Sequence, residues 1–102
     1  MKEESIIQKK SFAFAIEIYH LSKQLVAKKQ FSIADQILRS GTSIGANVEE
    51  GHGGHSLKEF SLRISTAYKE AGETRYWLKL LMATGSLSED QAGKLRTLSL
   101  EP

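Results

Sequence analysis

The chain has 102 residues, with 14 Lys and Arg, 12 Asp and Glu, 3 His, one Pro and no Cys, for a formal net charge of +2. This length fits one domain with a modest core. The lack of cysteine excludes a disulfide scaffold, a thiolate zinc site and a cysteine nucleophile. Residues 1–51 carry 7 basic and 6 acidic side chains and residues 52–102 carry the same numbers, so neither half forms a charged tail.

The apolar periodicity is helical throughout. The first segment, about residues 4–29, carries two apolar arcs at the ~100° per residue of a helix. Phe12, Ala15, Ile16, Tyr19 and Val26 form one; Phe14, Ile18, Leu21 and Leu25 form the other, on roughly the opposite side. A helix with a single neighbour needs one stripe. Two predict a helix sandwiched between bundle partners, or between the bundle and another subunit.

The second segment, about 33–50, opens at Ser32 as N-cap, with Asp35 three residues on. Ile33, Ala34, Ile37, Leu38, Gly41, Ile44, Gly45 and Val48 share one face. Gly41 and Gly45 fall within that stripe, one turn apart. Each costs about 1 kcal/mol of helix propensity relative to Ala, a cost compensated if a neighbouring backbone approaches closely. Gly51 is expected to cap the C-terminus.

The third segment, about 57–84, begins with the capping box Ser56-Leu57-Lys58-Glu59. Leu57, Phe60, Ile64, Ala67, Tyr68, Ala71, Leu78 and Met82 form a stripe with Arg75 near its middle. Arg75 pairs with a carboxylate among Glu49, Glu50, Glu70 and Glu73, snorkels to water, or meets a ligand. Leu62, Trp77, Leu80 and Leu81 lie among charged residues on a second face, a mixture typical of an interface. The fourth segment, about 89–100, starts after Ser88, with Gln91 as capping partner, and offers only Ala92, Leu95, Leu98 and Leu100. The chain thus reads as all-α, an up-down-up-down antiparallel four-helix bundle with a short fourth helix, in a single domain over 1–102.

Chemistry-bearing constellations are few. Glu49, Glu50, His52 and His55 offer metal-ligand types, but on a Gly-rich loop that does not fix them, unlike the helix-borne Glu-x-x-His pairs of bundle metal sites. Gly41-Thr42-Ser43-Ile44-Gly45 lacks the lysine and the preceding strand of a phosphate-binding loop. No serine sits on a nucleophile elbow. The expectation is a non-enzyme without cofactor or metal. With no apolar run long enough to span a bilayer and no secretory signal in MKEESIIQKK, a cytoplasmic setting is expected, with no membrane partner. The basic residues from Lys9 to Lys69 are interleaved with acids and form no phosphate-binding stripe in one copy, although symmetry could repeat a modest patch.

The stretch Leu38-Arg39-Ser40-Gly41-Thr42-Ser43-Ile44-Gly45-Ala46-Asn47-Val48-Glu49-Glu50-Gly51 resembles the signature of the bacterial four helix bundle protein family, also called the ribosomal-RNA intervening-sequence protein family. Lys58-Glu59-Phe60 through Glu73-Thr74-Arg75-Tyr76-Trp77-Leu78 is similar to its third helix. The resemblance covers roughly residues 10–100. It implies a left-handed bundle assembled as a ring-shaped homopentamer with a central channel. Some members are encoded within intervening sequences of bacterial large-subunit ribosomal RNA. A related branch serves as the accessory subunit of diversity-generating retroelements, a basic pentamer associating with reverse transcriptase and nucleic acid. The motif residues Asn47, Glu50, Gly51, Glu73, Arg75 and Trp77, with Gly41 and Gly45, are then packing and assembly residues. Phe14, Ile18, Leu21, Leu62, Leu80 and Leu81 are the candidate interface. The function implied is a homo-oligomeric scaffold or accessory protein, with an RNA- or DNA-binding ring as the alternative and RNA or another protein as possible partner. Two departures stand out: the fourth helix is short for the family, and the charge is near neutral.

Overall fold

The computed structural model describes residues 4–98. They form four helices, α1 (Ile6–Ala27), α2 (Phe31–His52), α3 (Leu57–Ala83) and α4 (Glu89–Leu98). Each helix runs antiparallel to the one before it, as the cross-links fix. Gln8 near the start of α1 bonds Glu49 near the end of α2. Asn47 of α2 bonds Arg63 near the start of α3, while Ser40 meets Thr74 higher up. Gln91 and Lys94 of α4 bond Gln24 and Glu17 of α1. The fold is the expected all-α bundle with a short fourth helix. Helix α2 packs on both α1 and α3, which do not approach one another, and α4 bridges α1 and α3 at one end.

Local signals explain most boundaries. A capping box missed in the sequence starts α1: Ser5 Oγ accepts from the Gln8 amide at 3.1 Å and Gln8 Oε1 accepts from the Ser5 amide at 2.8 Å. Two helices end in the same way. Lys29 at φ 62° and Gly85 at φ 78° take the left-handed conformation, and the next amides, Gln30 and Ser86, return to the carbonyls of Leu25 and Leu81. Ser56 caps α3 through the Glu59 amide, and Ser88 caps α4 through the Gln91 amide. The Glu59 carboxylate faces the His55 amide rather than closing the box on Ser56. Two expectations need correction. Ser32 lies inside α2, whose N-cap is Gln30 without a side-chain bond. Gly51 does not stop α2, which continues to His52. It is buried in the last turn, where an added Cβ would lie 3.2 Å from Arg63 Cβ and 3.5 Å from a Phe60 ring carbon.

The core gathers Phe14, Ile18, Leu21 and Leu25 of α1, Ala34, Ile37, Ile44 and Val48 of α2, Ala67, Ala71 and Leu81 of α3, and Leu87, Ala92 and Leu95 at the α4 end. Ile18, Ile37 and Val48 are fully enclosed, each contributing about 1.5–3 kcal/mol of transfer free energy. Phe14, Ile18, Leu21 and Leu81 are thus core residues of the chain itself, and the expectation that they form an interface fails. The two α1 arcs divide the work: the Phe14 arc faces inward, the Phe12 arc outward. The Leu98 side chain and Leu100, the last two members of the fourth-segment stripe, lie outside the described residues.

At the α1–α2 crossing, a Cβ on Gly41 would fall 2.7 Å from Ile18 Cγ2 and 3.2 Å from its Cβ. On Gly45 it would meet the Ser11 carbonyl oxygen at 3.4 Å, an ordinary contact. Ile18 is β-branched and enclosed, so it cannot swing away. Gly41→Ala is expected to lower the unfolding free energy by about 1–2 kcal/mol, overpacking outweighing the propensity gain. Gly45→Ala is expected to be neutral or to stabilise by up to about 1 kcal/mol. Urea unfolding of the two variants checks the contrast.

Candidate functional site: the α2–α3 face

The signature residues fall mostly on the two facing sides of α2 and α3, where they take part in three polar ties, one near the α2–α3 turn and two further along, one buried and one at the outer edge. At the bottom, Arg63 bonds Asn47 Oδ1 at 3.4 Å and Glu50 at 2.9 Å, while Asn47 Nδ2 donates to the Ser43 carbonyl at 2.8 Å. In the middle, Thr74 Oγ1 lies 2.8 Å from both Ser40 Oγ and the Glu70 carbonyl oxygen. Both hydroxyls are buried. On the outer side, Arg39 pairs with Glu70 and with Glu73, and Glu73 also accepts from Trp77 Nε1 at 3.1 Å.

This arrangement assigns each motif residue a place. Glu73 is the hub that joins Arg39 of α2 to Trp77 of α3. Asn47 and Glu50 hold Arg63. Gly51 gives room to Phe60 and Arg63. Arg75 is not in the inward stripe: it is exposed, its guanidinium lying back over Gly72. On this face Arg39 engages both Glu70 and Glu73. Sequence reasoning missed Arg39, Arg63, Ser40 and Thr74 as a set. The signal available was the small-residue register Ser40-Gly41 against Ala67, Ala71 and Thr74, which permits close helix contact.

Elsewhere, His52 sits at the end of α2. Its Nδ1 meets the Val48 carbonyl at 3.0 Å, so the proton lies on that nitrogen, and its ring stands edge-on to Phe60 with centroids 5.5 Å apart. His55 is exposed in the loop that follows. Among the described residues no group of three or more His, Cys, Asp or Glu is placed to hold a metal ion. A groove opens between α1 and α2, floored by Ser11, Ala15, Gly45 and Ala46 and walled by Phe12, with Gln8, Thr42 and Glu49 at its margins. Leu62 and Leu80 of the candidate interface are exposed on α3, Leu80 one turn from the exposed Tyr76 and Leu62 near the other end of the helix. No described helix is long and apolar enough to cross a membrane.

The ties differ in depth and so in worth. Exposed ion pairs contribute about 0–1 kcal/mol, whereas a buried hydroxyl left without its partner costs about 1–3 kcal/mol. Arg39→Ala is expected to cost no more than about 1 kcal/mol, and Thr74→Val, which keeps the shape and strands Ser40, about 1–3 kcal/mol. Thermal unfolding of both variants at low and high salt checks the order, since only the Arg39 effect should shrink with salt.

Comparison with known proteins follows the same residues. Residues 3–101 match the family described as 23S rRNA-intervening sequence protein. A crystal structure of a protein of unknown function from the S23 ribosomal protein family of Bacteroides thetaiotaomicron is similar at 41% identity and a TM-score of 0.87, covering 92% of this chain and 88% of that one. No curated protein gives a significant match. The match spans all four helices, and the chain belongs to the 23S rRNA-intervening sequence protein family.

Proposed function

We propose that the protein is a non-catalytic homo-oligomeric scaffold or accessory protein, a cytoplasmic pentamer built from copies of this bundle. One observation carries the proposal. Phe12, Ile16, Tyr19 and Val26 repeat at helical spacing along α1, yet they are 67%, 43%, 47% and 43% exposed. Isolated surface apolar residues need no explanation, but a periodic row beside an apolar groove is the mark of an unpartnered contact face. The chemistry of the motif agrees: Asn47, Glu50, Glu73 and Trp77 are engaged in holding helices together.

A second proposal, RNA or DNA binding by the assembled ring, is favoured by a different observation. Lys9, Lys10, Lys23, Lys28 and Lys29 are all exposed along α1 and its turn, while Glu17, the acid between them, pairs with Lys94 at 3.1 Å. Repetition by symmetry would multiply this positive edge.

Sedimentation at micromolar concentration is expected to give an oligomer, and Ile16→Glu to reduce it to monomers with helical circular dichroism retained; a wild-type monomer would sink the proposal. For the second, binding to a random RNA oligonucleotide should weaken steeply with salt and be lost when Lys23, Lys28 and Lys29 become Gln.

A further inference from the structure

The geometry points to a head-to-tail contact in which Leu62 of one copy seats in the α1–α2 groove of a second copy. This seat presupposes the self-assembly proposed above and specifies its surfaces. The groove has a floor of small residues, Ser11, Ala15, Gly45 and Ala46, and a wall at Phe12. Pairing two such grooves face to face would leave a void, which tight interfaces avoid. What the groove lacks is a projecting side chain, and α3 supplies one on a different side of the bundle.

Leu62, Tyr76 and Leu80 stand on one outward line of α3, at spacings of 14 and 4 residues, and Leu62 and Tyr76 are 65% and 59% exposed. Leu62 is also at the correct height. Its neighbour Arg63 reaches Asn47 and Glu50, and Gly51 packs on Phe60 and Arg63. The groove lies at the same level, marked by the Gln8–Glu49 bond and by Ser11 against Gly45. Copies related by rotation about an axis parallel to the helices keep heights equal, so Leu62 of one meets the groove of the next without sliding.

The charges agree. Glu49 borders the groove, and Lys58 stands on the same outward face of α3 as Leu62, four residues before it. Sliding or inverting one copy would break this match. Because groove and ridge are different surfaces, the contact is heterologous, and repeating it with equal heights and a rotation that divides the full turn closes a ring.

Cysteine cross-linking tests the seat cleanly, since the chain has no cysteine of its own. Ala46→Cys and Leu62→Cys variants are prepared singly and also refolded together, then oxidised. A disulfide-linked dimer is expected from the mixture and from neither variant alone. Cross-linking of Leu62→Cys with itself would show a twofold contact and overturn the seat. So would the absence of any cross-link while the wild-type protein sediments as an oligomer. A wild-type protein that sediments as a monomer would instead overturn the self-assembly proposal, and the seat with it. Leu62→Glu gives an independent readout: it is expected to shift the oligomer to monomer without loss of helix content, and an unchanged oligomer would count against the seat.

Discussion

The bundle depends on α2 meeting two helices on adjoining sides of one stripe. On its α1 side the contact is steric: Gly41 leaves the space that Ile18 fills, and Gly45 lies against the Ser11 carbonyl. On its α3 side the contact is polar at two levels, through Arg63 near the turn and through Thr74 and Glu73 further along. A single helix can do both because its buried arc is wide. Gly41 and Ala34 serve one edge, Ser40 and Gly51 the other, and Ile37, Ile44 and Val48 the centre. The small residues set the separation; the large ones fill what remains.

Close contact brings hydroxyl groups into the interior, and the structure accommodates them locally. Ser11 and Ser22 donate to carbonyls three residues back in α1, at 3.2 and 2.8 Å. Ser40 and Thr74 meet across the interface. Among the described residues no buried side-chain nitrogen or oxygen lacks a partner, as native interiors require. The same logic separates structure from function on this surface. Motif residues turned toward another helix are satisfied within the chain, whereas the row from Phe12 to Val26 remains 43–67% exposed.

Much of the architecture was legible because helical periodicity is a long-range signal, averaged over many residues. The amphipathic stripe of α2 and the split arcs of α1 could be read directly. What failed were decisions resting on one residue. Which α1 arc faces inward is not encoded in α1: both are apolar, and the choice is made by what α2 and α4 offer. Arg75 looked central because Tyr68, Leu57 and Met82 were counted into the inward stripe; they are exposed, and the true line runs through Ala67, Ala71, Thr74 and Leu81. Small residues define that line, and small residues carry little weight in a search for apolar ones. The Ser5–Gln8 cap of α1 was present in the sequence as Ser-x-x-Gln, whereas the left-handed Lys29 carries no such signal, because a turn of this kind can be held by backbone bonds at a residue other than glycine. The polar ties were invisible for a different reason: pairing across helices needs the register, which periodicity alone does not supply.

That the backbones of α1 and α3 stay apart while each lies against α2 bears on how the chain finds its fold. Apart from the α4 contacts, close backbone approach is confined to helix hairpins of neighbouring segments, α1 with α2 and α2 with α3. Each hairpin closes over a short turn, so little loop entropy is lost before contacts reward it. Either hairpin can form first, with α2 as the template for the other. Docking of α4 on α1, across 67 residues in the Gln24–Gln91 pair, is the step with the longest closure. Rapid collapse of the three long helices, followed by the late arrival of a short one, is the order this connectivity favours.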